Sequence, residues 1–259
     1  MEDLKEVLLD ATREAGKIIL HHFNGVFKIA HKDGINNLVT EVDKLAENRI
    51  IEVIRASFPS HSIISEEVGE LLQKSDYQWI IDPIDGTVNF AHAIPLCCVS
   101  IGLMHKGELM LGAVYNPMMN ELFFAEKGKG ATLNGEPIKV SHKSNFKTAF
   151  LVTGFPYNWP DSSQHPIKVF ERFVLEGLPV RRLGSAAIDL CWVACGRFDG
   201  FWEYNLQPWD VAAGYLIVLE AGGRITDFEG GQYDVFTKET LATNGLIHNN
   251  MLDLIKKQA

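Results

Sequence analysis

Residues 79–90 read WIIDPIDGTVNF, and this stretch restricts the chain more than any other. Trp79, Ile80 and Ile81 form an apolar run that predicts a buried strand. The run ends in two carboxylates, Asp82 and Asp85, set around Pro83 and Ile84 and followed by Gly86 and Thr87. A carboxylate at the end of a buried strand is costly unless it is paired or coordinated. Two of them, close together around a proline-stiffened turn, repel one another unless a cation sits between them. The stretch holds no Cys, His or Lys, so its donors are all oxygen, which suits Mg²⁺, Mn²⁺ or Ca²⁺ rather than zinc. Mg²⁺ keeps waters and phosphate oxygens in its shell, so such a cluster predicts a site that handles phosphate. Gly86 permits close backbone approach, and a helix starting near Thr87 would aim free N–H groups at an anion. The Thr87 hydroxyl could polarise a water.

Further acids stand at element ends. Thr40-x-x-Asp43 precedes a helical pattern and fits a capping box; Asp210 precedes VAAGYLIVL and fits an N-cap; Glu66 and Glu67 follow a short strand. Each alone reads as a cap or a solvated loop. Beside Asp82 and Asp85, three of them, Asp43, Glu66 and Asp210, read as partners in one cation site. Competing chemistries lack their motifs: there is no P-loop, no GxSxG, no HExxH and no Asp-x-Asp pair. KGKGATLNG is glycine-rich but lies between strand patterns, so a hairpin turn accounts for it. Cys191 and Arg197 have the spacing of cysteine phosphatases, but Trp192, Val193 and Ala194 fill what would be the phosphate cradle, so a core helix is the reading.

Leu4, Val7, Leu8, Ala11, Ala15, Ile18 and Ile19 recur at helical spacing and predict a first amphipathic helix. A polar turn region, HKDGINN, leads to a second helix from about Asp43 to Ser57, stopped by Pro59. SIISEE reads as a short strand, and the next strand ends at Asp82. From Cys97 to about Val140 short strands and turn signals predict an antiparallel meander. The second half alternates strands (AFLVTGF, PVRRLG, RFDGFWEY, RITDF, LATNG) with helices (QHPIKVFERFVLEG, SAAIDLCWVACG closed by Gly196, DVAAGYLIVLEAGG, IHNNMLDLIKKQ). The expectation is one layered α/β domain, residues 1–259, with subdomains of about 1–143 and 144–259. Of its 259 residues 46% are hydrophobic, enough for a sizeable core. A net charge of −9 argues against nucleic acid or an anionic membrane as partner. No apolar run approaches a membrane span, and Cys97, Cys98, Cys191 and Cys195 form neither a disulfide framework nor a zinc pattern. The expected location is a reducing cytoplasm. An anionic substrate would need the local potential reversed, which bound divalent cations do.

DPIDGTVNF resembles the first signature of the inositol monophosphatase family, in the larger group of lithium-sensitive, Mg²⁺-dependent phosphatases. WDVAAGYLIVLEAGG resembles the second, and NLVTEVD and SEE stand in the expected order, so the resemblance runs from Leu4 to the last helix. It implies a five-layer α-β-α-β-α sandwich of the inositol monophosphatase and fructose-1,6-bisphosphatase type, a homodimer, and two or three Mg²⁺ per subunit, with Mn²⁺ able to replace them and Ca²⁺ or Li⁺ inhibitory. Carried over by position, it implies that Glu66, Asp82 and the Ile84 carbonyl hold one metal. Asp82, Asp85 and Asp210 would hold a second, and a weaker third would lean on Glu66. Asp43 and Thr87 would activate water, and the Gly86 and Thr87 N–H groups would hold phosphate. Gly184, Ser185, Ala186 and Glu203 would contact substrate hydroxyls, with Lys32 near the site. Gln207 stands where many bacterial relatives carry a basic residue, and Trp209 reads as a packed wall. The implied reaction is hydrolysis of a small phosphate monoester, foremost inositol monophosphate, by in-line attack of activated water without a phosphoenzyme. Histidinol phosphate, fructose 1,6-bisphosphate and NADP are alternative substrates within the group, since Glu203 suits a polyol's hydroxyls and equally an ammonium. Some bacterial members act with the transcription machinery, which is the contrasting reading.

Overall fold

The computed structural model describes residues 1–32, 37–156 and 166–257. Helix α1 (Glu2–His22) buries Leu4, Leu8, Ala11, Ala15 and Ile19, the stripe that the spacing predicts. The flanks of the expected polar turn pair as a hairpin of β1 (Ile29–His31) and β2 (Leu38–Thr40); residues 33–36 of that turn lie outside the described residues. Helix α2 (Glu41–Ser57) starts two residues before the expected Asp43, because Thr40 is its N-cap and accepts the Val42 and Asp43 N–H groups. The two helices form one layer, and their apolar faces pack on Ile63, Trp79, Ile81, Ile101, Leu103 and Leu111.

Those last residues belong to the first sheet. Its strands are β3 (Ser62–Ser65), β4 (Gly69–Leu71), β5 (Tyr77–Asp85), β6 (Cys98–His105), β7 (Glu108–Asn116), β8 (Glu121–Glu126), β9 (Gly130–Leu133) and β10 (Glu136–Pro137). Their order is β10-β9-β8-β7-β6-β5-β3-β4, antiparallel throughout except for β3 against β5. The expected meander is β6 to β10. Strand β5 departs from expectation: it does not stop at Asp82 but continues to Asp85, with a register shift between the two acids. Pro83 has no N–H to give a ladder, so it sits at this bulge rather than in a turn.

After the short α3 (Thr87–Ala91) and the meander, the chain crosses to a second sheet of β11 (Leu151–Thr153), β12 (Val180–Arg181), β13 (Gly200–Tyr204), β14 (Arg224–Thr226) and β15 (Glu239–Thr243), ordered β12-β11-β13-β15-β14. Between the sheets lie α5 (Ala186–Ala194) and α6 (Pro208–Glu220), apolar nearly all round because a sheet covers each side. On the outer face α4 (Pro166–Leu175) and α7 (His248–Lys256) bury Val169, Phe173, Met251 and Ile255; Gln164 and His165, expected in α4, lie outside the described residues. The layers therefore run α-β-α-β-α, as the resemblance implies.

The two decoy motifs resolve as packing. Cys191 is buried inside α5, and burial pushes its thiol pKa well up, so it is no nucleophile. The Gly128 and Gly130 N–H groups of KGKG each donate to the Glu220 carboxylate, at 2.8 Å, which pins a hairpin turn to α6. All four cysteines are free. Among the described residues no helix is long and apolar enough to cross a membrane.

Candidate active site

The end of β5 forms the floor of a cavity of about 480 Å³ between the two sheets. Asp82 accepts the Ile84 N–H on Oδ1 at 3.0 Å, folding its side chain across the bulge that carries it. The chain then turns at Gly86, whose φ is +87°; a Cβ there would lie 2.8 Å from the Leu96 carbonyl and 3.2 Å from that of Gly184. Only glycine fits this turn. Thr87 follows as the first residue of α3, so its N–H has no acceptor within the helix and opens on the cavity.

Asp43 serves two parts of the structure with its two oxygens. Oδ2 accepts the Thr40 N–H at 2.8 Å and the Thr40 hydroxyl at 2.5 Å, which completes the capping box. Oδ1 faces the Thr87 hydroxyl at 3.1 Å, and the same hydroxyl lies 3.0 Å from the Ile84 carbonyl. The cap reading of Asp43 holds for Oδ2, while Oδ1 is turned to Thr87. Asp43 does not itself line the cavity; Thr87 does.

Asp210 is placed by a second capping box, not as the N-cap that its position suggested. Gln207 is the N-cap of α6, Pro208 starts the helix, and Asp210 accepts the Gln207 N–H at 2.7 Å. Gln207 also recruits a cation, because Lys238 Nζ donates to its side-chain oxygen at 2.7 Å. Asp85 is held from the middle layer: its Oδ2 accepts the Ser185 hydroxyl at 2.6 Å and the Ala187 N–H at 2.7 Å. The Ser185 hydroxyl is thus spent on Asp85, and the 184–186 segment offers a ligand its backbone. Glu66 follows β3; its N–H donates to the Ile81 carbonyl at 3.2 Å and its carboxylate pairs with Lys32 at 2.6 Å. Lys32 also pairs with Glu67.

Every residue that the sequence singled out for the site, apart from Asp43, lines this one cavity: Glu66, Asp82, Ile84, Asp85, Gly86, Thr87, Gly184, Ser185, Ala186, Glu203 and Asp210, with Lys32, Gln207 and Trp209. Sequence reasoning missed Arg182, an exposed cation on the wall near Glu203, and Gly154, which backs Glu203. Neither carries a local signal, since each matters through a residue far away in sequence.

Burial first, then mutual repulsion, pushes the Asp82 and Asp210 carboxyls well above the ordinary carboxylate range. Burial also raises Asp85, against the hydrogen bonds from Ser185 and Ala187, and raises Glu66, against the pull of Lys32. Asp43 is pushed up to about 6 by burial, against the bonds from Thr40. Burial alone would lower the pKa of Lys32, but Glu66 and Glu67 raise it and hold the side chain charged. Five carboxylates share one cavity, Asp82, Asp85 and Glu203 buried and Glu66 and Asp210 half-buried, with Lys32 as the ammonium among them. Such a donor set, all hard oxygen and short of positive charge, fits divalent cations of the Mg²⁺ class. Among the described residues no three His, Cys, Asp or Glu side chains already close on one point as a cage.

The whole chain, residues 1–259, matches the model of the inositol monophosphatase family. It is 44% identical to an inositol-1-monophosphatase of Synechocystis sp., over 95% of this chain and 86% of that protein. It is 42% identical to the Nus factor SuhB of Escherichia coli K12, over 97% of this chain and 95% of that one. Among solved structures, an inositol monophosphatase from Anabaena (Nostoc) superposes with a TM-score of 0.88 at 40% identity, covering 98% of this chain and 95% of that chain.

Proposed function

Because this chain belongs to the inositol monophosphatase family, we propose that it hydrolyses small phosphate monoesters of polyols, inositol monophosphate foremost, by attack of a water held at Thr87. The observation that carries this reading is the Thr87 hydroxyl, hung between Asp43 Oδ1 and the Ile84 carbonyl beside the buried carboxylates. Its one proton is offered to Asp43, so its oxygen can accept a proton from water. As water attacks phosphorus and the ester P–O bond breaks, the water's proton passes to Thr87 Oγ1 while the Thr87 proton passes to Asp43 Oδ1, and the departing alkoxide takes its proton from solvent water. Asp43 suits that role: a base raised to about 6 is ionised at neutral pH and still basic enough to accept. The Thr40 bonds keep its other oxygen occupied and its orientation fixed.

Glu66, Asp82, Asp85 and Asp210, with the Ile84 carbonyl, would hold the divalent cations, two or three Mg²⁺ in this reading. When bound, those ions supply a water of lowered pKa and neutralise charge on the phosphate and the leaving oxygen. The Gly86 and Thr87 N–H groups hold the phosphate from the start of α3. Glu203 on the far wall accepts hydrogen bonds from the hydroxyls of the leaving alcohol, against the backbone of 184–186. A homodimer in a reducing cytoplasm completes the reading, which four free thiols suit.

Phosphate release is measured with and without Mg²⁺ on inositol monophosphate, histidinol phosphate, fructose 1,6-bisphosphate and NADP, for the wild type, Asp82→Asn and Asp43→Asn. The expected result is Mg²⁺-dependent release, highest on inositol monophosphate and lost in both variants. Activity that survives EDTA, or an unaffected Asp82→Asn, sinks the mechanism; a higher kcat/KM on another substrate corrects the specificity alone.

The likeness to the Nus factor SuhB supports a second role as a partner of the transcription apparatus. Capture of transcription proteins by the Asp82→Asn variant as well as by the wild type would support it. Capture by neither leaves the enzyme reading alone.

A further inference from the structure

We propose that Glu47, one helical turn beyond Asp43 on α2, is a positioning residue that holds Glu66 in place. This rests on the metal-dependent phosphatase reading and adds to it a residue that lines no part of the cavity. Glu47 is a carboxylate 1% exposed, so it must be served by donors. Its Oε1 accepts the Ser65 hydroxyl and the N–H groups of Glu67 and Val68, the last two at 3.1 Å each. Together these donors span the tip of the β3–β4 hairpin, the three-residue turn 66–68 closed by Gly69 in the left-handed region. Glu66 is the first residue of that turn. Its own N–H is tied to Ile81, the neighbour of Asp82, at 3.2 Å. Glu66 is therefore clamped twice, by β5 before it and through Glu47 after it.

The spacing gives α2 a double task. Residues four apart lie on one helix face. Asp43 reaches Thr87 on the water-activating side of the cavity, and Glu47 reaches the turn that presents Glu66 on the cation side. One rigid helix thus braces both loops, in addition to the β3–β5 pairing that joins their strands. Residues that orient a ligand to a metal change affinity by about 10- to 100-fold when lost.

The test titrates Mg²⁺ calorimetrically into the full chain for the wild type, Glu47→Gln, Glu47→Asp, Ser65→Ala and Asp82→Asn, with Tm recorded for each. Gln keeps an oxygen at the same reach without the charge; Asp keeps the charge and withdraws by one methylene. Positioning predicts that Glu47→Asp binds Mg²⁺ about 10-fold more weakly or worse. The KM for Mg²⁺ should rise by more than kcat falls, and Glu47→Gln should recover affinity to within about threefold. Ser65→Ala, which removes one donor and keeps the acid, should weaken Mg²⁺ binding about threefold and decides the matter if Glu47→Asp does not fold. Wild-type affinity in Glu47→Asp and Ser65→Ala overturns the proposal, as does a loss in Glu47→Gln equal to that in Glu47→Asp. A wild type that binds no Mg²⁺, or an Asp82→Asn that binds it normally, brings down the metal site and this inference with it.

Discussion

Asp82 and Asp199 are buried to the same degree, at 1% and 2% exposure, and are surrounded in opposite ways. Asp199, just before β13, accepts the Ser141 hydroxyl at 2.5 Å, the Phe150 N–H at 2.7 Å and the Lys143 ammonium at 3.1 Å. Asp82 has the N–H of Ile84 and otherwise feels Glu66, Asp85 and Asp210, which the weaker pull of Lys32 does not offset. A served carboxylate ties elements together, whereas carboxylates gathered against their own repulsion weaken the fold and mark a place kept for a ligand. The largest effects expected follow from that contrast. Asp82→Asn should lower kcat by about 10³-fold or more while making the metal-free chain more stable. Asp199→Ala should cost about 3 kcal/mol, because it strands its donors, and leave kcat of the folded fraction within about twofold. Urea unfolding in EDTA beside a phosphate-release assay reads both. An Asp82→Asn chain less stable than the wild type without metal would break the contrast.

Asp43 repeats the comparison within one side chain, an Oδ2 served by Thr40 and an Oδ1 that the proposed mechanism uses as the base. Thr87→Val should lower kcat by about 10²- to 10⁴-fold with little change in Tm. Thr40→Val should cost about 1 kcal/mol through the lost cap. It should also raise the Asp43 pKa further, since the Thr40 bonds are what hold it down against burial. In the proposed mechanism the working form of Asp43 is the carboxylate, so wild-type kcat/KM should fall as pH drops through about 6, and the Thr40→Val limb should lie at higher pH. A pH–rate profile that is the same in both would show that Thr40 does not tune the base.

A third effect is one of stability. Glu66, Asp82, Asp85 and Asp210 all have pKa values raised by folding, so the folded chain holds their protons more tightly than the unfolded chain. Their contribution is most favourable below the ordinary carboxylate range and is lost as pH rises through the raised values. In EDTA, Tm should therefore fall between pH 5 and pH 8. Mg²⁺ at about 100 times its Kd should add about 2.7 kcal/mol at pH 8, roughly 5 to 10 °C for a chain of this size. Asp82→Asn should flatten the pH slope and lose most of the Mg²⁺ shift in the same thermal scan.

What could be read from the sequence follows the range of each interaction. The apolar run into Asp82, the Thr40–Asp43 box and the glycine after Asp85 are local chemistry, and the cluster follows from them by charge alone. Asp210 stands at the third position of α6 rather than at its N-cap, because Pro208 marks the first position of the helix. The β1–β2 hairpin escaped because all three residues of β1 are exposed and show no alternation. The parallel pairing of β3 with β5 and the order of the second sheet depend on packing that no local window contains. Ser185 illustrates the remaining gap. It stands where a substrate contact was expected, and its partner proves to be Asp85, a hundred residues away.

The smallest effect concerns the far wall, where Glu203 is the carboxylate set apart from the cluster. Burial pushes its pKa well up, and Asp210 and Asp85 add to this, but it stands on β13, on the wall that the proposed mechanism gives to the alcohol. Gly154 makes room for it: a Cβ there would fall 2.2 Å from Oε2 and 2.3 Å from Oε1. Those atoms are the mobile end of a side chain, so Gly154→Ala should fold with Tm changed by about 2 °C or less and should swing Glu203 out of line. If Glu203 binds hydroxyls, KM for inositol monophosphate should rise about 10-fold with kcat changed less. A phenyl phosphate, which offers no hydroxyl, should be hydrolysed as by the wild type. Equal losses on both substrates would assign Glu203 to the cation end after all and erase the distinction between the two walls.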